Sequence, residues 1–244
     1  MRNLKMLGLA AFALMAMSAM FASTASAQGP GVLTAGDTVG PVHTETPIHA
    51  KQYGAITDNI FEAFGDNLHC TNATSTFTGK ASGTDSEIVI TPNYKDCFKV
   101  NSDHSEGLPI TVKTNGCQFI FNQPTSIAGS HTTWEGNVDL VCPGTAAIEV
   151  EVFSSGTKTA HSGFRLCREL IASQEGLGPV TYHNIAGEPD DITVEVEATN
   201  IKVTKGGLCG SGEISNAAYT STLTLTSGTP SESGSHDLWF STAG

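Results

Sequence analysis

The sequence predicts an all-β fold, a disulfide-stapled antiparallel β-sandwich or barrel of short strands. Three observations predict it. Apolar and polar residues alternate in short runs, the period of half-buried strands. Gly, Asn, Asp and Pro separate these runs as turn formers do. The six cysteines are never closer than 20 residues, which suits cross-links and not the close pairs of a zinc site. No window carries a convincing helical period, residues 59–64 and 168–173 being short ambiguous cases.

The chain opens on a leader. Arg2 and Lys5 give a positive n-region, residues 6–17 an apolar stretch broken only by Gly8, and Ala25-Ser26-Ala27 a small-residue cleavage site before Gln28. Residues 1–27 therefore read as a cleavable signal peptide, cut between Ala27 and Gln28. The apolar run is too short to span a bilayer, and Gln28 stands where a lipoprotein would carry its acylated cysteine. All five Met lie in the leader and all six Cys follow it. No later apolar run is long enough to span a bilayer, so no membrane span is expected in the mature chain.

Residues 28–53, rich in Gly, Pro and Thr, read as an extended arm, and residues 54–244 as a single β-rich domain. Residues 86–91 (SEIVIT) form a strand that Pro92 stops. Residues 109–114 (PITVKT), Asn115-Gly116 and residues 117–122 (CQFIFN) give a hairpin signal. A second pair, 137–142 and 147–153, surrounds Pro143-Gly144, with Ile148, Val150 and Val152 facing one way and Glu149 and Glu151 the other. Residues 191–198 repeat the pattern with Ile192, Val194 and Val196 inward and Glu195 and Glu197 outward. The parity then switches to Ile201 and Val203, which places a bulge or turn at Thr199-Asn200. Residues 219–226 are a further strand, 227–235 a Ser/Gly-rich stretch, and 236–241 (HDLWFS) a last edge strand.

Six cysteines in an exported chain point to three disulfides among Cys70, Cys97, Cys117, Cys142, Cys167 and Cys209. Fifteen pairings are open. Consecutive pairing is preferred, because each bridge would then close one strand-turn-strand unit. With the leader removed, 10 basic residues stand against 24 acidic ones, a formal charge of −14. Phosphate backbones and anionic lipids repel such a chain, which disfavours nucleic-acid and membrane-surface binding.

In chain order, several short patterns follow the leader. They are Phe61-x-x-x-Gly65 before Cys70, Phe77-x-Gly79, Pro92-x-Tyr94-x-x-Cys97 and Asn115-Gly116-Cys117-x-Phe119-x-Phe121. Cys142-Pro143, Val180-Thr181-Tyr182-x-Asn184, Ile192-Thr193-Val194, Cys209 and Leu238-Trp239 come after them. Together they resemble a family of uncharacterised exported proteins of soil actinobacteria, over nearly the whole chain. Residues 165–170 (RLCREL) depart from the pattern, being charged where a more neutral strand is expected. The resemblance implies secretion, disulfides and a β-rich fold. It brings no activity, substrate or catalytic residue.

Candidate chemistry is sparse. No Ser has Gly at both −2 and +2, and Ser211, the nearest case, reads as a turn residue beside a disulfide. The eight His include no H-E-x-x-H, so a zinc hydrolase is not supported. Glu149/Glu151 and Glu195/Glu197 stand about 6.6 Å apart along their strands, near an inverting glycosidase's spacing, yet the same alternation describes a solvated sheet face. The acidic loops 101–106 and 188–191 lack the Gly and Glu of a calcium loop. Trp134, Trp239, Tyr53, Tyr94, Tyr182 and Tyr219 could stack on sugars and equally suit core packing. The row Thr220, Thr222, Thr224, Thr226 is read as a wet strand face, and Asn72-Ala73-Thr74 fits a glycosylation sequon, which means little if the source is bacterial.

These observations predict a secreted or cell-envelope-associated β-domain with a non-catalytic binding or structural role, its partner a cell-wall glycan or another secreted protein. No catalytic, cofactor-binding or metal-binding residue is expected. The alternatives are a secreted hydrolase acting on glycans through carboxylates that meet only in the fold, or a secreted inhibitor.

Overall fold

The computed structural model describes residues 31–36, 46–52, 58–71, 75–82, 87–127, 133–185, 191–228 and 237–242. The expected signal peptide and its expected cleavage site at Ala27 and Gln28, the sequon at Asn72 to Thr74 and residues 229–235 of the Ser/Gly stretch lie outside the described residues.

The described residues are all-β. In chain order the strands are β1 (Gly31–Gly36), β2 (Thr46–Gln52), β3 (Asp58–Ala63), β4 (Asp66–Thr71), β5 (Thr76–Ser82), β6 (Glu87–Asn93), β7 (Cys97–Val100), β8 (Glu106–Lys113) and β9 (Gln118–Phe121). They continue as β10 (Ser126–Ile127), β11 (Thr133–Val141), β12 (Ile148–Thr157), β13 (Ala160–Ile171), β14 (Gln174–Asn184), β15 (Asp191–Gly207), β16 (Gly212–Ser227) and β17 (Asp237–Thr242). Both ambiguous segments are strands: residues 59–64 fall largely in β3 and 168–173 largely in β13. The expected arm, 28–53, contains β1 and β2, and β2 is hydrogen-bonded between β16 and β5.

Every pairing is antiparallel, and the pairings close on themselves. One ring runs β11-β14-β15-β16-β2-β5-β6-β9 and back to β11. A second runs β15-β13-β12-β8-β7-β4-β3-β16 and back to β15. The β15–β16 hairpin belongs to both. Its open half (Asp191 to Ala198 with Tyr219 to Thr226) serves ring one, and its closed half (Ile201 to Lys205 with Gly212 to Ala217) serves ring two. Closure removes the exposed edges that a sheet this large would otherwise present.

The expected bulge is what permits one hairpin to serve two rings. The ladder slips between Ala198 and Ile201, and Asn200 takes a left-handed φ of 59°. Without that extra residue Ile201 and Val203 would point outward. With it they join Val194, Val196 and Ala198 in one continuous buried core. Glu195 and Glu197 remain outside and exposed, as expected from the alternation. An apolar interior with a polar exterior is the reverse of a membrane barrel. No helix among the described residues is long and apolar enough to cross a membrane.

Two expected hairpins are corrected. Asn115 and Gly116 do form a left-handed turn, with φ of 52° and 79°, and the Cys117 N–H donates to the Thr114 carbonyl at 2.8 Å. The flanking strands nevertheless part: β8 pairs with β7 and β12, and β9 with β6 and β11. Pro143-Gly144 likewise makes a turn, after which β11 and β12 lie in different rings. Non-local partners outcompete the local ones because they bury larger side chains. Phe119 and Phe121 sit opposite Leu140 and Val138, and Ile110 opposite Val152. Residues 114–117 and 142–147 are thus two of the places where the chain crosses between rings.

The disulfides are Cys70–Cys97, Cys117–Cys142 and Cys167–Cys209, the consecutive pairing. Their structural role differs from the expected closing of strand-turn-strand units. Cys70–Cys97 joins the neighbours β4 and β7 at a directly paired position, and Cys167–Cys209 ties β13 to the β15–β16 turn. Cys117–Cys142 ties the 114–117 crossing to the 142–147 crossing, supported by Asn115 Nδ2 donating to the Ala147 carbonyl at 2.9 Å. Pro92 does not stop its strand. It lies inside β6 opposite Phe77, beyond the Ile88 to Ile90 stretch that pairs with β9, where β6 has β5 alone as its ladder partner.

The β1–β17 ribbon packs against the far end of ring one. Leu33, Leu238 and Phe240 are buried, and the Phe240 ring lies 4.9 Å from Tyr182 and 5.8 Å from Trp134. Asn184 holds the ribbon from both sides: its Nδ2 donates to the Phe240 carbonyl at 2.8 Å, and its Oδ1 accepts from the Phe240 N–H at 2.9 Å.

Candidate functional site

Ring two ends differently. Its inward positions begin as apolar as those of ring one, with Ile148, Val150 and Val152 on β12 opposite Val112 and Ile110 on β8. Beyond them the inward parity meets charge. On β13 the alternation Cys167, Glu169, Ile171 points Glu169 inward, opposite Val150 on one side and Lys205 of β15 on the other. On the far wall Asp66 opens β4, and Lys99 of β7 sits opposite Leu68.

These four side chains form one cluster. Lys99 Nζ contacts Asp66 Oδ1 at 2.6 Å, and Lys205 Nζ lies 3.7 Å from both Asp66 Oδ2 and Glu169 Oε1. Glu169 is only 1% exposed, and its Oε2 has no hydrogen-bond partner. Burial pushes its carboxyl above the ordinary glutamate range, the pull of Lys205 notwithstanding, and Asp66 adds to the push. A buried acceptor left unpaired costs about 1–3 kcal/mol. At the far end of ring one, by contrast, Trp134, Tyr182 and Phe240 pack together.

The backbone over the cluster is also unusual. β3 and β4 are joined by the two-residue turn Phe64-Gly65, with φ of 52° and 78°. Gly65 takes this conformation freely, whereas a bulky Phe does so at a cost. The turn sets the Phe64 ring 4.8 Å from Lys205 Nζ, in cation–π contact. Beside the turn is a polar pocket of about 460 Å³ whose wall includes Glu62, Phe64, Asp66, Asn67 and Asn216. Strain, a desolvated cluster and a polar pocket coincide at one end of the ring, as they do at ligand sites.

The carboxylates named from the sequence lie elsewhere. Glu149 and Glu151 do face outward from β12, but not as a solvated pair: Lys113, Arg165 and Arg168 cover them, and both are buried. Burial alone would raise the Glu151 carboxyl, but hydrogen bonds from Lys113 and Arg165 outweigh it and bring it below the ordinary range. Glu195 stands on a different face, 3.6 Å from His183 Nε2. Ser211 lies in the β15–β16 turn beside Cys209. Asp103 accepts from the Ser105 N–H at 3.1 Å, a local turn, and among the described residues no group of three His, Cys, Asp or Glu is placed to hold a metal. Trp134, Tyr94, Tyr182 and Tyr219 pack within or against the core, while the side chains of Trp239 and Tyr53 fall outside the described part. Thr222 is buried, so the threonine row is not a flat wet face.

Glu169 gives a direct prediction. Its folded pKa lies above its unfolded one, so between the two values the folded chain binds the extra proton and stability falls as pH rises. Glu169→Gln removes that slope. Urea titrations across pH should show the variant more stable than wild type at neutral pH, with the difference vanishing below about pH 4.5, the ordinary glutamate value. A wild type that instead gains stability over the variant with rising pH would mean that Lys205 neutralises the carboxylate fully.

No known protein family, curated protein or solved structure matches this chain.

Proposed function

We propose that this chain is a secreted or envelope-associated domain, of the exported actinobacterial kind its sequence resembles, that binds a ligand without converting it. The binding face is the mouth of ring two, and the ligand is a glycan of the cell wall or of another secreted component. The observation that supports this reading best is the Phe64-over-Lys205 arrangement with Glu169 behind it: strain and buried charge together at one end of the ring. The pocket beside it offers what sugar hydroxyls need, the planar carboxylates and amides of Glu62, Asp66, Asn67 and Asn216 next to an aromatic ring. Three disulfides suit an oxidising compartment.

Pull-down on purified cell wall, followed by titration with soluble wall fragments, tests the proposal. Asp66→Ala and, at an exposed position that leaves folding alone, Asn216→Ala should each weaken binding about tenfold, or about 1.4 kcal/mol. Absence of binding by the wild type, or equal binding by both variants, would count against it.

One observation favours a second reading as a glycan hydrolase: Glu169, its carboxyl raised, shares Lys205 with Asp66. It is the weaker reading because Glu169 is sealed from solvent and is not part of the pocket wall. Turnover of a bound glycan that Glu169→Gln abolishes would establish it in place of the first.

A further inference from the structure

Where the two rings meet, the shared core is incompletely filled. A cavity of about 80 Å³ lies between Val138 of ring one, Val150 of ring two and Ala198 and Leu223 at the middle of the shared hairpin. Ala198 is the smallest side chain in that stretch of β15, and it stands immediately before the bulge. Two sheets that diverge from one kinked hairpin leave a gap at the kink, and a small residue there does not fill it.

The cavity wall is almost wholly carbon. Its few polar atoms are already committed: Tyr94 Oη donates to Tyr219 Oη at 3.0 Å, and Tyr219 Oη donates to Asn59 Oδ1 at 2.8 Å. Ser221 Oγ donates to the same Asn59 oxygen at 2.7 Å. A water inside would find no partners, and apolar cavities of this kind stay dry and take up apolar guests. An engineered cavity of about 150 Å³ accepts benzene or xenon, so half that volume sets the scale of the guest.

The roof gives access. Tyr94, Phe119 and Tyr219 line the cavity and are also partly exposed. Their rings meet, Tyr94 to Tyr219 at 6.3 Å, edge-on, and Phe119 to Tyr219 at 6.2 Å, stacked, and the hydroxyl bond joins Tyr94 to Tyr219 as well. Phe119, held by its ring contact with Tyr219, can swing without breaking a backbone ladder, whereas Tyr94 and Tyr219 move only by giving up their hydroxyl bonds.

We infer that the junction of the two rings is a binding site for a small, compact apolar molecule, admitted through the Tyr94–Phe119–Tyr219 roof. Eight-stranded rings are wide enough either to be filled by side chains or to hold one small ligand, and here the junction does the second. The site is separate from the charged mouth, and its test is independent of glycan binding.

The experiment uses xenon as the probe on the oxidised protein. In methyl NMR spectra, xenon should shift the signals of Val138, Val150 and Leu223 and leave those of the exposed Val141 and Leu208 unmoved, and it should raise the Tm. Ala198→Leu, which fills the space, should abolish both effects; Val138→Ile, a smaller filling, should reduce them and serves if the first variant does not fold. Tyr94→Phe keeps the roof and removes a hydroxyl, and should bind as wild type does. Lining methyls that do not respond to xenon in the wild type, or an undiminished response in both filled variants, would overturn the assignment.

Discussion

Trp134→Ala is expected to destabilise the protein by about 3–5 kcal/mol, the cost of deleting a large aromatic from a packed core. Trp134 is 1% exposed, stands opposite Tyr182 in the β11–β14 ladder and touches Phe240 of the ribbon. Its loss would remove packing from ring one and from the β1–β17 ribbon together. The indole N–H has no hydrogen-bond partner, so Trp134→Phe gives up area but also discards an unpaired buried donor. The phenylalanine variant should therefore lie well above the alanine variant in urea midpoint. Equal losses in the two would mean that the ribbon does not depend on this ring.

The second large effect belongs to Cys117–Cys142. Replacing both by alanine, which avoids burying new hydroxyls, should cost about 3.5 kcal/mol by loop-closure entropy for a separation of 25 residues. Equilibrium unfolding in urea, with the other two bridges intact, measures it. A cost below about 1 kcal/mol would show that the crossings hold each other without the bond, or that the unfolded chain keeps them close.

How much of this was legible in the sequence depends on distance along the chain. Alternation placed Ile148, Val150 and Val152 inward, and the parity switch after Ala198 placed the bulge, because both are properties of one strand read on its own. The all-β class followed from the same local regularities; the disulfides are the consecutive set, but not for the expected reason of closing strand-turn-strand units. Partner choice did not. Asn115-Gly116 dictates a turn, and the turn is there, but a turn fixes only the backbone of its own residues. Whether β8 and β9 then pair depends on Leu140 and Val152, which lie far along the chain and compete for Phe119 and Ile110.

The candidate site was hidden for a related reason. Its four charges come from β4, β7, β13 and β15, with no spacing that links them. A local signal did exist. The segment 165–170 is more charged than its neighbours, and the alternation from Cys167 through Glu169 to Ile171 already points Glu169 inward. Glu149/Glu151 drew attention instead, since a pair on one strand is visible in a way that a pair across a ring is not.

The claim on which everything else rests is that β8 and β9 do not pair, so that the chain crosses between two rings and leaves the second with its charged mouth. Cross-strand NOEs in a labelled sample test it directly. The account predicts contacts between Phe119 and Leu140 and between Ile110 and Val152, with none running along β8 and β9 on either side of Asn115-Gly116. A continuous ladder of NOEs between β8 and β9, with Phe119 and Leu140 silent, would contradict it.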